Sequence, residues 1–330
     1  MNILITGSNG YIGSVLVKKL IQSKIKFKSY VDNNIKVEND KHLINYDNLY
    51  LYDNLMYKQL SLIDYCYKKD VHFIQGDVRN EDLLLEYIEK SDIIIPLAAI
   101  VGAPACDKDK NLAYEVNERQ IEFIVKNAKN KKIIIPTTNS MYGTSKDIVT
   151  EKSEINPLSY YAKTKVNAEK FVIDYGGISL RLATVFGISQ KMRLDLLINN
   201  FVYKAITDKY IVLFEAHFKR NFIHIQDVAL AFIFMINNYE KNKGEIFNLG
   251  LSNANLSKLE LCLRIKELIP NFSINLDNIN EDPDKRDYIV SNEKIELIGW
   301  KPHYSIEDGI EELIKAYKII INNNSKFTNL

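Results

Sequence analysis

Cysteine, proline and glycine are all scarce in this chain of 330 residues, at three, seven and thirteen. The cysteines, Cys66, Cys106 and Cys262, are too few and too widely spaced for a disulfide framework or a zinc site, which excludes a stapled secreted scaffold. Reduced thiols fit a cytoplasmic location. A surplus of either charge is missing too: 43 basic against 42 acidic side chains leave a net charge of +1. A nucleic-acid or membrane-surface binder needs Lys and Arg in clustered excess, so the balance points to a small-molecule partner. The longest apolar run, Ile93 to Cys106, is 14 residues and is interrupted by Pro96, Gly102 and Pro104. A bilayer span needs about 20, so no transmembrane helix is expected. Met1-Asn2 leads straight into Ile3-Leu4-Ile5, without the basic and apolar leader of a secretory signal. No metal site is expected, because no second His or carboxylate stands at ligand spacing from His224, which reads as a packed strand residue.

What is present is an alternating pattern. Ile3-Leu4-Ile5-Thr6 reads as a short buried strand, and Tyr11 to Gln22 has the apolar spacing of an amphipathic helix. Strand-like runs follow at 49–52, 71–75, 93–96, 132–136 and 178–182, with helical patterns at 81–90 and 112–130. Such alternation predicts an α/β fold of the Rossmann type, a doubly wound parallel sheet with helices on both faces. Beyond about residue 187 the rhythm loosens, with helical stretches at 194–207, 227–239, 257–268 and 306–321, and a smaller C-terminal substrate domain is expected. The division drawn is 1–186, completed by 222–250, for the cofactor domain and 187–330 for the substrate domain. Only the tail, 322–330, is expected to fray.

Gly7-Ser8-Asn9-Gly10-Tyr11-Ile12-Gly13 has the form G-x-x-G-x-x-G between the first strand and the first helix. Glycines there allow a tight turn and close backbone approach to a pyrophosphate, while the helix start offers free N–H groups. An acid about 20 residues further on binds the adenosine ribose and repels the extra phosphate of NADP. Two candidates end strand-like runs. Asp32 follows Phe27 to Val31 at the usual spacing, and Asp53 follows Leu49 to Tyr52 after an insertion. Asp77, in Gly76-Asp77-Val78-Arg79, is placed to meet the adenine side.

Tyr161 and Lys165 stand at i and i+4 on a predicted helix, which puts phenol and ammonium on one face. A nearby ammonium favours the phenolate and so prepares a general base for an alcohol proton. Upstream, Thr137 to Gly143 follows the Ile133-Ile134-Ile135 strand and offers hydroxyls at a strand end.

Together these features resemble the extended short-chain dehydrogenase/reductase family, the sugar-nucleotide epimerases, dehydratases and dehydrogenases. The likeness runs through Pro96-Leu97-Ala98-Ala99, Asn117, Thr138 to Gly143, Tyr161 with Lys165, Arg181 to Gly187, Arg220 to Asp227, Asn248-Leu249-Gly250 and Gly299 to Pro302. It implies that Tyr161 is the base, Lys165 its tuner and ribose anchor, and Thr138 the hydroxyl that orients the sugar. It implies NAD held by Gly7, Asn9, Gly10, Tyr11, Ile12, Gly13, Asn54, Asp77, Val78, Leu97, Ala98 and Ala99. Asp53-Asn54-Leu55 matches a triplet the family favours after its second strand, so Asp53 is preferred to Asp32 for the ribose.

For the substrate, the likeness implies a nucleotide sugar held by Asn139, Ser140, Thr184, Arg193, Arg220 and Arg286, arginines suiting phosphate through their planar fork. Dehydratases of the family carry Asp then Glu directly after the catalytic Thr. Here Asn139 and Ser140 occupy those places, which speaks against a 4,6-dehydratase. Segments 95–106, 192–197, 211–215 and 282–288 resemble the bacterial GDP-manno-heptose C4 dehydrogenases of capsule sugar biosynthesis. That narrower likeness implies oxidation at C4 of a GDP-linked sugar, with a 2-oxo acid as a candidate acceptor of the hydride. A 4-epimerase on the same residues is the alternative, and a non-catalytic NAD-sensing regulator a remoter one. A cytoplasmic homodimer, formed through helices near 112–130 and 161–175, is the implied assembly.

Overall fold

Three successive branched residues, Ile3 to Ile5, are fully buried, as in a strand covered on both faces. The computed structural model describes residues 1–32, 43–277 and 286–320. From the N-terminus the elements are β1 (Asn2–Thr6), α1 (Tyr11–Asp32), β2 (Asn48–Asp53), β3 (Val71–Gln75), α2 (Glu81–Lys90), β4 (Ile93–Pro96), α3 (Ala103–Lys108), α4 (Lys110–Tyr114), α5 (Gln120–Asn127) and β5 (Lys132–Thr138). Next come β6 (Thr144–Val149), α6 (Tyr160–Tyr175), β7 (Ile178–Leu182), β8 (Thr184–Phe186), α7 (Leu197–Thr207), β9 (Tyr210–Phe214), β10 (Lys219–His224) and α8 (Ile225–Asn237). The last are α9 (Tyr239–Asn242), β11 (Ile246–Leu249), β12 (Asn255–Ser257), α10 (Lys258–Leu268), β13 (Ser273–Asp277), β14 (Asp287–Val290), α11 (Glu293–Leu297) and α12 (Ile306–Ile320).

Seven strands make one sheet in the order β11-β7-β5-β4-β1-β2-β3, parallel through β5, β4, β1, β2 and β3. The chain winds first from β1 to β2 and β3, then returns to the other side of β1 for β4 and β5. That reversal marks the switch point of a Rossmann-type sheet, and the glycine loop leaves β1 at its carboxyl end there. Leu4, Ile94, Ile133 and Ile135 share one core cluster with Leu84, Ile88, Ile121, Ile124, Ala168 and Val172.

Two compact units are defined by packing. One comprises Met1–Thr137, Ser159–Leu180 and Ala229–Ile246, the other Thr138–Leu158, Arg181–Val228 and Phe247–Leu330. Residues 138–158 precede the position at which the sequence suggests a boundary, yet they count with the second unit. The reason is β6, which pairs in parallel with β14 and buries Tyr142 and Val149 against Tyr288 and Val290.

Two local expectations are corrected. Phe27 to Val31, expected as a strand ending at Asp32, lies within α1. No glycine or proline follows Gly13 before Asp32 to stop the helix, and the buried Lys24 ties it down, its ammonium 2.7 Å from the Asp70 carboxylate and 4.1 Å from the centre of the Tyr46 ring. The single helix expected at 112–130 is instead α4, a π-helical turn at Glu115–Arg119 and α5. The expected frayed tail and residues 282–285 lie outside the described residues. Among the described residues no helix is long and apolar enough to cross a membrane.

Candidate active site

In the first unit the glycine loop is shaped by backbone alone. Gly7 has φ +67° and donates its N–H to the Tyr52 carbonyl at 2.8 Å, and a Cβ there would stand 2.6 Å from the Ala98 nitrogen. A Cβ on Gly13 would stand 2.3 Å from the Gly7 carbonyl oxygen and 2.8 Å from that of Ser8. Only glycine fits either position, and the loop so formed presents the start of α1 to an anion.

Asp53 ends β2 and is buried beside this loop. Its carboxylate accepts the Asn9 N–H at 2.9 Å, the Leu55 N–H at 2.8 Å and the Gln59 amide at 3.5 Å. Burial raises its pKa, against the lowering effect of the two backbone donors. The strand-end acid is therefore Asp53, whereas Asp32 ends a helix. Ser61 also supports the loop, its hydroxyl donating to the Asn9 carbonyl at 3.1 Å. Gln59 and Ser61 carry no motif that marks them in the sequence.

Asp77 follows β3. Arg79 holds its carboxylate through Nε and Nη2 at 2.9 and 2.8 Å and lowers its pKa to about 2. Asn54 reaches the same carboxylate at 3.4 Å, and Val78 packs into the core. Leu97 and Ala98 are anchored through their N–H groups to the Thr6 carbonyl and hydroxyl at 3.0 and 3.2 Å.

On α6, capped by the Ser159 hydroxyl accepting from the Ala162 N–H, Tyr161 is half-buried and Lys165 is 3% exposed. The Lys165 ammonium has no hydrogen-bond or ion-pair partner among the described residues. Burial lowers its pKa to about 8, with the Cys106 thiol acting in the opposite sense. The same turn is fixed from behind. Asn117, in the π-helical turn, donates to the Thr164 hydroxyl at 3.2 Å and to the Ile100 carbonyl at 2.9 Å, and the Thr164 hydroxyl donates to the Tyr161 carbonyl at 2.8 Å. π turns of this kind concentrate at functional sites. Cys106 accepts from Asn117 at 3.7 Å, and burial pushes its thiol up to about 11, so it is a packing thiol rather than a nucleophile.

In the second unit Thr138, Asn139 and Ser140 open a 3₁₀ turn. The Thr138 hydroxyl donates to Ser140 Oγ at 3.1 Å and accepts the Ser140 N–H at 3.1 Å, and Arg286 Nη1 donates to the same Ser140 oxygen. The buried Arg220 packs its guanidinium over the Tyr288 ring, 5.7 Å from the centroid, so two of the expected arginines converge around β14. Thr184, the first residue of β8, pairs in register with Phe222 on β10. Arg193 is engaged elsewhere, its Nε donating to Asp195 at 3.1 Å. His224 is buried, 2.8 Å from the Glu312 carboxylate and stacked on Tyr304, which agrees with a packed residue. Among the described residues no cluster of His, Cys, Asp or Glu could hold a metal ion.

A Rossmann-type sheet with a backbone-only phosphate loop and a Tyr/Lys helix defines a nucleotide-dependent oxidoreductase. The profile of the NAD dependent epimerase/dehydratase family matches residues 3–250, and the chain belongs to that family. A human dTDP-D-glucose 4,6-dehydratase is 28% identical, the match covering 96% of this chain and 89% of that one. Among solved structures, UDP-glucuronic acid 4-epimerase from Bacillus cereus, in complex with UDP-glucuronic acid and NAD, superposes with a TM-score of 0.79 at 23% identity over 97% of this chain and 100% of its own. DesIV, a dTDP-glucose 4,6-dehydratase from Streptomyces venezuelae, gives 0.79 at 21% identity over 100% and 99%.

Proposed function

We propose that the chain oxidises C4 of a nucleotide-linked sugar to the 4-keto sugar, with Tyr161 as base. The observation that carries this reading is the pair on α6: a half-buried phenol one turn from a buried ammonium that no described residue pairs. An unpaired buried lysine is costly unless a ligand completes it, and a cofactor ribose together with a developing phenolate supplies that completion. The residues fit NAD: the glycine cradle admits no Cβ at Gly7 or Gly13, and Asp53 ends the second strand. When bound, NAD supplies the hydride acceptor. Gly7, Asn9, Gly10, Tyr11, Ile12 and Gly13 would hold its pyrophosphate side, Asp53 and Asn54 the adenosine ribose, Asp77 and Val78 the adenine, and Leu97, Ala98 and Ala99 the nicotinamide side.

Tyr161 takes the alcohol proton, Lys165 stabilises the phenolate that results, and Thr138 orients the sugar oxygen. Arg220 and Arg286, with Arg193 and Thr184, bind the nucleotide diphosphate end. Asn139 and Ser140 carry no carboxyl group, so the acid and base for expelling water are lacking at these two positions, and the ketone keeps its hydroxyls. A GDP-linked manno-heptose in capsule synthesis is the substrate we favour. Segments 95–106, 192–197, 211–215 and 282–288 support that choice by resemblance alone, as the α5 and α6 regions support a cytoplasmic homodimer.

Replacing Asp53 by Asn should weaken NAD about tenfold or more and narrow the preference over NADP, since the lost charge both binds the ribose and repels a 2′-phosphate. Titration of both cofactors checks this. Unchanged affinities would leave Asp53 as a mere support of the loop through Asn9 and Leu55.

Net oxidation requires an external oxidant, for which we take a 2-oxo acid, reduced to its 2-hydroxy acid as the sugar is oxidised. The yield of 4-keto sugar from GDP-manno-heptose should rise with the oxo acid supplied. Clean C4 epimer without any acceptor would favour the second reading, a 4-epimerase, whose chemistry needs the same Tyr161 and Lys165. Turnover of UDP-sugars alone would leave the chemistry and overturn the GDP assignment.

A further inference from the structure

The loop after β4 is tied down from two sides within the first unit. From β1, Thr6 accepts the Leu97 N–H on its carbonyl and the Ala98 N–H on its hydroxyl. From the π-helical turn, the Asn117 amide pairs with both the N–H and the C=O of Ile100, at 2.8 and 2.9 Å. The Ala98 carbonyl is taken by Gln120, the first residue of α5, whose Nε2 donates to it at 2.7 Å and also to the Val116 carbonyl. Ala99, half-buried between these pinned residues, makes no hydrogen bond to a described residue, which leaves its N–H and C=O to a ligand.

Gln120 is buried, and its Oε1 has no hydrogen-bond partner among the described residues. Turning the amide over would set that oxygen against two carbonyl oxygens, so Nε2 is the donor to both. A buried acceptor left unpaired is costly, and an aliphatic side chain at this position would avoid the cost. The amide is therefore explained by what Nε2 holds. Val116 lies one turn back in the same helical segment, whereas Ala98 is 22 residues away in the loop, so the tie to Ala98 is the one that fixes a separate part of the chain.

We infer that Gln120 is a positioning residue for the nicotinamide half of the cofactor. It fixes Ala98 from the α5 side as Thr6 fixes it from the β1 side, so that Ala99 is presented in one conformation before the cofactor arrives. A loop already ordered in its bound form spares the ordering cost on binding. The inference rests on the reading of 97–99 as the nicotinamide side. It goes beyond that reading by assigning a residue that acts through the loop rather than on the cofactor.

The test compares NAD with ADP-ribose, which shares the adenosine and pyrophosphate but lacks the nicotinamide. Gln120→Met keeps the bulk and removes both polar atoms. NAD should then bind about tenfold more weakly, the equivalent of one lost hydrogen bond, and ADP-ribose within about twofold of wild type. With a nucleotide sugar that the wild type oxidises, kcat should fall by about 10²-fold, the effect of a misplacement of roughly 1 Å, while KM for the sugar is unchanged. In the wild type, amide hydrogen exchange over 97–100 should slow with NAD more than with ADP-ribose.

An equal loss of both ligands, or a lowered melting temperature without selective loss of NAD, makes Gln120 a structural residue and overturns the inference. Unchanged binding of both ligands overturns it as well. Exchange over 97–100 that responds equally to NAD and ADP-ribose does the same, because it removes the loop from the nicotinamide side. Gln120→Asn, whose amide falls one methylene short of the Ala98 carbonyl, should repeat the selective loss and takes the place of the methionine variant if that fails to fold. A wild type that binds NAD but oxidises no nucleotide sugar refutes the proposed reaction, and the two binding comparisons still decide on Gln120.

Discussion

Tyr161→Phe should lower kcat by about 10² or more, the usual contribution of a positioned general base, with cofactor affinity and melting temperature close to wild type. The change removes one oxygen from a half-buried side chain. It leaves the ring against the core and the Tyr161 carbonyl bonded to the Thr164 hydroxyl. On the proposed mechanism it deletes the phenolate that Lys165, one turn away and desolvated, would stabilise. Tyr160 is the control, because it is adjacent in sequence but faces Lys110, whose ammonium lies 5.8 Å from its ring centroid. Tyr160→Phe should retain activity. Steady-state rates and cofactor titration on both variants separate the roles, and near-normal turnover by Tyr161→Phe would remove Tyr161 from the chemistry.

Gly13→Ala should abolish useful cofactor affinity, weakening NAD by about 100-fold or more, and should also lower stability. The methyl would meet two backbone oxygens, of Gly7 and Ser8, at 2.3 and 2.8 Å. Neither belongs to a flexible side chain, so the loop itself has to move, and forced overpacking costs about 1–3 kcal/mol before any ligand is considered. The displaced segment is the one we propose to bind the pyrophosphate, so on that reading the binding loss exceeds the stability loss. Gly176→Ala makes the comparison: its φ is +95° but no atom lies within 4 Å of an added Cβ. Some stability loss with normal cofactor binding is expected there. Retained NAD affinity in Gly13→Ala would contradict the assignment of the loop.

Much of this was legible in the sequence, for physical reasons that can be named. A buried strand, a glycine turn and an amphipathic helix at the N-terminus leave a strong local pattern, and the i, i+4 spacing of Tyr161 and Lys165 survives any uncertainty about helix ends. The Asp32 and Asp53 alternatives could not be separated by spacing, because a long helix held by the Lys24–Asp70 pair runs through the place where that spacing puts the second strand, which comes later at Asn48–Asp53. β6 was missed because Thr144 to Asp147 is polar, and its pairing with β14 links segments more than 140 residues apart. The π-helical turn around Asn117 has no composition signal. Burial of the Asn139 amide without a hydrogen-bond partner among the described residues is a property of three-dimensional packing alone.

The most direct test of C4 oxidation is to follow a deuterium placed on C4 of the nucleotide sugar through complete turnover in the presence of a 2-oxo acid. Net oxidation predicts a 4-keto sugar that has lost the label, and a 2-hydroxy acid that has gained it. An epimerase would return the deuterium to C4 of the inverted sugar, and a dehydratase would deliver it to C6 with loss of water. Deuterium retained at C4, or found at C6 of a deoxygenated product, would contradict the account.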